Sequence, residues 1–259
     1  MALALSASTV KAWFQYRCER KVRYELFTDE ELAALPIVPD VREQSWAVLG
    51  MDYEERVLRR LNEEAGVLRP TPGDFGLLES DAISFLRGRT RQPYASQINL
   101  RPRGPFGLLQ RAGVTLKRVF PDLIHRRVVD GRTMFTVIDV KATRRATPFH
   151  KTQVAFYVRV LEALLAELGV AAEVDATGYI WRIPDRGTAD GDDHYAEDFG
   201  LSPYLRLVDD FCANLLPQIA SRAVEPGEAG PRRDETFFHL YFKCELSVVR
   251  TFGTTRGVD

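Results

Sequence analysis

The chain has 259 residues and a formal net charge of −1 at pH 7; 45% of its residues are hydrophobic and 27% are charged. This length is enough to bury a sizeable core, and the composition excludes an intrinsically disordered chain. The sequence has no run of about 18 apolar residues, which excludes a transmembrane helix and favours a soluble protein without a membrane partner. The length favours one domain over residues 1–259, and the expected location is the cytoplasm.

The N-terminal segment predicts a helix over residues 6–26, capped by Ser6 or Ser8 and carrying apolar residues near helical spacing. Lys11 ends the opening apolar run after a few residues. That run is too short for a secretory signal, so the segment is interpreted as an amphipathic helix of the folded protein.

Residues 45–65 predict a second helix with one buried face. The apolar side chains at helical spacing are Trp46, Leu49, Tyr53, Val57 and Leu61. Two acids, Glu54 and Glu55, follow Tyr53. Glu54 is favoured as a functional carboxylate because it lies next to the apolar face, and Glu55 is the alternative.

The following segment, residues 67–110, is rich in Gly, Pro and Arg, and it predicts short strands at 82–86 and 97–100 joined by irregular connections. Three arginines come directly after the first of these strands. They are candidate phosphate contacts, with an ordinary exposed loop as the alternative: Arg87, Arg89 and Arg91.

A β-hairpin is predicted around Asp130-Gly131, a dipeptide that favours the two-residue type I′ turn because both residues accept positive φ. With this turn, facing positions sum to 261, and Asp122 faces Asp139 with Cα atoms about 4.5–5.5 Å apart. Like charges in facing positions repel unless a cation lies between them. Lys141 is two residues beyond Asp139 and leaves the strand on the same face.

The charge distribution is uneven. Residues 87–151 contain 15 Lys or Arg and three acids, a local net charge of +12, so the remainder carries −13. Two of the three acids are the facing pair and the third is in the turn. A basic region with an acidic pair at its centre suits a polyanion held over a metal ion, with a solvated basic face as the alternative. Further cations close to the hairpin are Arg144, Arg145 and Lys151.

A third helix is predicted over residues 149–168, with Gln153 and Tyr157 on one face at i and i+4. The apolar residues 176–183 predict a buried strand after it. Hairpin, helix and strand are therefore expected to form an α/β unit with a right-handed crossover.

The C-terminal part predicts a polar, acidic loop at residues 185–198, which lacks the ligand order of an EF-hand. A helix over residues 202–223, capped by Ser202, follows it. A linker at 225–234 then leads to a final apolar segment at 237–252.

The spacing of the polar residues around the hairpin resembles the PD-(D/E)XK nucleases, and its last element resembles their RecB-type branch. The pattern is Pro-Asp, sixteen residues, Asp-x-Lys, and then Gln-x-x-x-Tyr, formed by Pro121, Asp122, Asp139, Lys141, Gln153 and Tyr157. The N-terminal Ser-x-Ser and the run Gly50-x-x-Tyr53-Glu54 are similar to other motifs of that branch. Tyr53 stands where the family often has histidine.

This resemblance implies an α/β fold with a restriction-endonuclease-like core at about residues 45–183, in which a mixed central β-sheet is flanked by helices. The helix at 6–26 and a C-terminal helical region at 200–252 would pack on that core.

The resemblance also implies a Mg²⁺- or Mn²⁺-dependent deoxyribonuclease that hydrolyses phosphodiester bonds. Lys141 would orient or help to deprotonate a water molecule, and Gln153 and Tyr157 would lie beside the metal and the bound strand. The metal would be held by Asp122, Asp139, Glu54 and the carbonyl of Val140, oxygen ligands that suit hard cations.

By the same resemblance, the expected partner is single- or double-stranded DNA, with a helicase as a further partner in repair, recombination or phage defence. The chain has no G-x-x-x-x-G-K-[ST] motif, so it carries no motor of that type. The alternative is a catalytically silent or partner-dependent nucleic-acid-binding subunit that keeps the nuclease fold.

The cysteines bear on one further cofactor. Cys18 and Cys244 stand where two of four iron–sulfur ligands fall in some RecB-type nucleases, but the other two are missing, and Cys212 forms no C-x-x-C pair with either. A cubane cluster takes four thiolates, so we expect reduced, buried cysteines and no cluster.

Overall fold

The structure is a computed structural model, and it describes residues 3–27, 41–103, 106–185 and 194–221. Within these ranges the fold is α/β, with a mixed sheet flanked by helices. The strands are β1 (Leu3–Leu5), β2 (Val67–Leu68), β3 (Tyr94–Ser96), β4 (Val114–Leu116), β5 (Leu123–Val129), β6 (Arg132–Lys141), β7 (Ala172–Val174), β8 (Thr177–Arg182) and β9 (Tyr195–Gly200).

Seven of these strands form one sheet in the order β2-β3-β5-β6-β8-β9, with β7 pairing with β6 beside β8. Strand β6 is antiparallel to β5 and parallel to β7 and β8. Strands β1 and β4 form a separate parallel pair. The mixed central sheet predicted from the sequence is therefore confirmed, and β6 lies in its middle.

The hairpin is confirmed with the predicted register. Val129 pairs with Arg132 at the turn, and the ladder continues to Leu123 and Ile138. Asp130 and the following glycine have φ values of 49° and 76°, as a type I′ turn requires at both central positions.

The helices are α1 (Ala7–Tyr16), α2 (Glu19–Glu25), α3 (Val41–Glu64), α4 (Glu79–Leu86), α5 (Pro148–Glu167), α6 (Ser202–Asp210) and α7 (Leu216–Ser221). A 3-10 helix, Gly107–Ala112, precedes β4, and a π-helical turn, Phe211–Leu215, joins α6 to α7. Helix α5 connects β6 to the parallel strand β8, which confirms the predicted unit of hairpin, helix and strand.

Two apolar cores lie on opposite faces of the sheet. Phe135 and Val137 of β6 pack with α1 and α5 in one core, whereas Ile138 and Val140 pack with α3 in the other. Because side chains alternate along a strand, Asp139 shares the face of Phe135 and Val137. The acidic side chain on β6 therefore points toward the side of the sheet that α5 covers.

The prediction of a single N-terminal helix is wrong. Helix α1 ends at Arg17, which has a left-handed φ of 52°, and α2 begins two residues later. Ser6 is the N-cap, and its hydroxyl accepts a hydrogen bond of 3.1 Å from the N–H of Thr9.

The two short strands predicted between residues 67 and 110 are also wrong. Residues 82–86 belong to α4, whose first turn carries Glu79 and Asp81, acids that favour a helix N-terminus. The strand expected at 97–100 lies three residues earlier, as β3, because Gln97 takes a positive φ of 47° and ends the extended run.

Helix α3 extends beyond its predicted start, to Val41. Tyr53, Val57 and Leu61 are buried as predicted, but Leu49 is 56% exposed, since this part of the helix projects past the core. The side chain of Trp46 lies outside the described residues.

In the C-terminal part, Tyr195–Gly200 forms strand β9 antiparallel to β8, so the predicted loop at 185–198 is too long. Leu201, not Ser202, is the N-cap of α6, where no side chain supplies a capping hydrogen bond. The predicted linker at 225–234, the apolar segment at 237–252 and Cys244 lie outside the described residues. Among the helices that the structure describes, none has both the length and the apolarity needed to cross a membrane.

Candidate active site

The two predicted acids meet at the open end of the hairpin, where β5 begins and β6 ends. Asp122 immediately precedes β5. Its Oδ2 accepts a hydrogen bond of 2.8 Å from the N–H of Val140, and its carbonyl accepts one of 3.2 Å from the N–H of Gln97. Val140 therefore fixes the Asp122 carboxylate, and Gln97 fixes the Asp122 main chain, at the end of the sheet.

Lys141 joins the two acids. Its Nζ lies 3.0 Å from Oδ2 of Asp122 and 2.8 Å from Oδ1 of Asp139, and it donates to both. Burial lowers the pKa of Lys141, but the two carboxylates outweigh this effect and hold its pKa well above the ordinary value. The cation expected between the facing acids is thus supplied in this structure by the lysine.

Asp139 is fully buried, with a relative exposure of 0%. Burial raises the pKa of its carboxyl to about 7, and the neighbouring Asp122 adds to this rise while Lys141 opposes it. Within the described part of the chain, its Oδ2 has no hydrogen-bond partner. A buried carboxylate oxygen without a donor is costly, so this atom is suited to accept a ligand.

Glu54 and Glu55 are distinguished by their contacts. The Oε1 of Glu54 accepts a hydrogen bond of 2.6 Å from Nε2 of Gln97, the residue whose N–H binds Asp122. Burial, together with the charge of Asp122, raises the pKa of Glu54 to about 7. Glu55 instead forms ion pairs with Arg69 and Arg59. Glu54 is therefore the glutamate that belongs to the site.

Gln153 and Tyr157 lie on the buried face of α5, as their spacing predicted. Nε2 of Gln153 donates a hydrogen bond of 2.8 Å to the hydroxyl of Tyr157. Burial raises the pKa of Tyr157 well above its ordinary value, and Asp122 and Asp139 add to the rise, which indicates that the hydroxyl lies close to both acids. The Oε1 of Gln153 has no hydrogen-bond partner among the residues described.

Three polar residues of the site were not predicted from the sequence: Gln97, His150 and Lys11. Gln97 holds Glu54 and Asp122, as described above. His150, in the first turn of α5, is 5% exposed, and its pKa is lowered to about 3 by burial and by the charges of Lys11 and Lys141. The sequence carries no local signal for any of them, because their approach depends on how α1, β3 and α5 pack.

The predicted basic residues close to the hairpin differ in their exposure and contacts. Arg144 and Arg145 are exposed and follow β6 directly, at the end that carries Lys141. Lys151 is engaged in the fold: its Nζ lies 3.2 Å from Glu197 and 5.3 Å from the ring centroid of Phe199.

Arg87 and Arg89 lie elsewhere. They line a cavity together with Thr133, which is eight residues before Lys141 on β6, roughly 26 Å away at the rise of an extended strand. Arg91 is exposed on the same segment. The structure therefore does not bring this arginine cluster to the acidic pair.

The donors around the acids are compatible with a divalent metal ion. Two carboxyl groups, those of Asp139 and Glu54, have a pKa raised to about 7, so a cation would relieve their buried charge. All donors are oxygens, and the carbonyl of Val140 leaves the strand on the side of its N–H, toward Asp122. In the conformation described here, however, no three His, Cys, Asp or Glu side chains of the described residues form a ready-made metal group.

No protein-family model matches this chain, and no curated protein matches it in sequence. The resemblance to the PD-(D/E)XK nucleases therefore rests on the residues described above. Its restriction-endonuclease-like core stays a prediction, whereas the α/β architecture with a mixed, helix-flanked sheet is present in the structure.

Proposed function

We propose that this protein is a Mg²⁺- or Mn²⁺-dependent nuclease that hydrolyses phosphodiester bonds in DNA. The observation that carries the proposal is the contact of one lysine, Lys141, with both Asp122 and Asp139 at the open end of a hairpin. Glu54 is joined to this group through Gln97, which binds both Glu54 and Asp122, and Gln153 and Tyr157 form a hydrogen-bonded pair on α5.

Asp122, Asp139, Glu54 and the carbonyl of Val140 would hold the metal ion. When bound, such an ion polarises the phosphoryl oxygen and lowers the pKa of a coordinated water molecule. Among the described residues, one oxygen of the buried Asp139 carboxylate has no hydrogen-bond partner and is open to a metal ion, and the N–H of Val140 fixes the direction of the Asp122 carboxylate.

Lys141 would stabilise charge that develops on the phosphoryl group. Because both carboxylates raise its pKa, Lys141 is an ammonium that donates hydrogen bonds in this arrangement. A fixed donor aimed at developing negative charge is worth about 10²–10³ in rate in other hydrolases. Orientation of the attacking water is the second role open to it.

A nucleic acid is the proposed class of substrate because of the charge around the site, and the choice of DNA follows from the resemblance. Arg144 and Arg145 are exposed beside Lys141, within a region whose local charge is +12 over residues 87–151. A polyanion is attracted to such a region, and exposed arginines bind its phosphates. Action beside a helicase in repair, recombination or phage defence follows from the resemblance alone. A cytoplasmic location is also part of this proposal, and it follows from the N-terminal apolar run, which is too short for a secretory signal.

A second candidate is a nucleic-acid-binding subunit that is catalytically silent or depends on a partner. One observation favours it: Lys141 already lies between the two carboxylates and contacts both, so a cation is present there without a metal ion. In that case the basic residues would still bind DNA without cleaving it.

Digestion of end-labelled linear DNA, single- and double-stranded, with Mg²⁺ or Mn²⁺ separates the two candidates. We expect the wild type to cleave, and Asp139→Ala and Lys141→Ala to be inactive while remaining folded. Equal cleavage by wild type and both purified variants would refute the proposed nuclease site. DNA binding without cleavage by the wild type would favour the silent subunit.

A further inference from the structure

A second lysine, Lys11, approaches the proposed active site from another part of the fold. It lies on α1, which packs on α5, and its Nζ is 5.9 Å from the ring centroid of Phe149 in the first turn of α5. Its electrostatic neighbours include Lys141, Asp139 and Asp122. The N-terminal helix therefore carries a positive charge to the edge of the acidic pair.

Lys11 is not paired with a carboxylate in the way that Lys141 is. Within the residues described, the contact of its ammonium group is with an aromatic ring. The acid outside the site that affects it, Glu25, is engaged by Lys21, with 3.5 Å between the charged atoms. Burial and the charge of Lys141 lower the pKa of Lys11, so the charged form of this lysine is less favoured in the folded protein than in water.

The surroundings of Lys11 contain further polar groups without partners. His150, which follows Phe149, is 5% exposed, and its Nδ1 has no hydrogen-bond partner among the described residues. The same holds for Oγ1 of Thr147, the N-cap of the 20-residue helix α5. The N-terminus of a helix favours anions, because its first N–H groups and its dipole point outward.

We propose that Lys11 binds a backbone phosphate of the nucleic-acid substrate beside the Asp122–Asp139–Lys141 group, so that α1 forms part of the substrate-binding site. The inference rests on the proposed function, and it assigns a binding role to a residue outside the hairpin and α5. A phosphate oxygen would give the ammonium of Lys11 an anionic partner, which it lacks among the residues that the structure describes.

The test is a salt series of DNA binding with Lys11→Met and Lys11→Arg. The probe is a fluorescein-labelled single strand of about twenty nucleotides, and EDTA prevents cleavage during anisotropy measurements. Lys11→Met keeps the apolar stem and removes the charge. Arg206→Met is the matched control, since Arg206 is an exposed cation on α6 and its loss changes the net charge equally.

We expect Lys11→Met to bind the strand about tenfold more weakly and to reduce the slope of log K against log salt by about 0.7, the value for one phosphate contact on a single strand. Lys11→Arg should keep the wild-type slope, as should Arg206→Met. A slope reduced as much in Lys11→Arg as in Lys11→Met would overturn the role of the charge.

Thermal unfolding of the same proteins separates binding from a structural role. Because the charge of Lys11 is unfavourable in the folded state, Lys11→Met should have a Tm equal to or above that of the wild type. A lower Tm with unchanged affinity and slope would overturn this inference and leave the nuclease proposal intact. A wild type that neither binds nor cleaves DNA would overturn the proposed function, and this inference with it.

Discussion

Two aspartates, one on the central strand β6 and one packed against it, have pKa values shifted in opposite directions. Asp175, between β7 and β8, accepts hydrogen bonds from the N–H of Thr177 and from the side chains of Arg127 and Thr136. Burial raises its pKa, but these bonds outweigh burial, and the pKa of Asp175 lies below its ordinary value. The pKa of Asp139, which lies on β6 three residues beyond Thr136, is raised to about 7.

The difference shows which carboxylate stabilises the fold. Asp175 is matched by donors, so its ionised form is more stable in the folded chain than in the unfolded chain. Asp139 keeps one buried oxygen without a donor in the described part of the structure, and its ionised form is therefore disfavoured. Carboxylates of the second kind concentrate at functional sites, which is why we place the chemistry at Asp139.

The largest effect on activity among these tests is expected for Lys141→Met. Without the ammonium, Asp122 and Asp139 lose the donor that contacts both of them, and the proposed stabilisation of the phosphoryl group by Lys141 is lost. Cleavage should fall by about 10²–10³-fold. End-labelled DNA digestion measures this loss, with circular dichroism to verify folding; a fully active Lys141→Met would contradict the role given to the lysine.

Asp175→Asn should change stability and leave the chemistry intact. The amide keeps the shape of the side chain but loses its charge-assisted bonds to Arg127, so the free energy of unfolding should fall by about 1–3 kcal/mol. Urea unfolding measures the loss. If Asp175→Asn were as stable as the wild type but inactive, the distinction between the two aspartates would fail.

The pH dependence of the free energy of unfolding should reveal the two carboxyl groups whose pKa is raised. Asp139 and Glu54 each have a folded-state pKa of about 7, above their ordinary values, so the folded chain retains protons that the unfolded chain releases. Their contribution to the free energy of unfolding is fully present below about pH 4 and is lost as the pH rises to about 7. Asp175, with a lowered pKa, contributes above its ordinary pKa and loses that contribution as the pH falls through its folded value.

Urea unfolding of the wild type and of Asp139→Asn, across this range in EDTA, measures the effect. Asp139→Asn should show a shallower loss of stability between about pH 4 and pH 7, because one of the two groups is removed. The same pH slope in both proteins would show that Asp139 does not titrate there.

The smallest effects are expected for the exposed arginines. Replacing Arg144 and Arg145 together by Ala should lower the salt slope of single-strand binding by up to about 1.4, because two phosphate contacts would be lost. Replacing Arg87 and Arg89 should leave binding at the site unchanged, since they lie beside the other end of β6. Equal losses in both double variants would indicate nonspecific attraction to the whole basic region.

The sequence predicted the centre of the molecule well because local chemistry determines it. Asp130-Gly131 sets the turn, the turn sets the register, and the register brings Asp122 and Asp139 to one place. The spacing of Gln153 and Tyr157 places both on one helix face for the same reason. These inferences need two or three residues each and no knowledge of distant packing.

The errors arose where local patterns are ambiguous or tertiary packing decides. The five residues 82–86 are compatible with a strand or a helix, and they are helical here after an acidic first turn. A left-handed Arg17 breaks the N-terminal helix, a conformation that a non-glycine residue rarely takes and that no pattern indicated. Lys11 and His150 come near the acidic pair only because α1 and α5 pack together.

The most direct test compares Asp139→Asn with Asp175→Asn in cleavage and unfolding. We expect Asp139→Asn to lose metal-dependent cleavage of end-labelled DNA while remaining folded, since the amide removes a disfavoured buried charge and Lys141 keeps its contact with Asp122. Asp175→Asn should lose stability and keep the activity of its folded fraction. Cleavage of DNA by Asp139→Asn would contradict the assignment of the active site to the open end of the hairpin. So would a loss of cleavage in folded Asp175→Asn together with a loss of stability alone in Asp139→Asn.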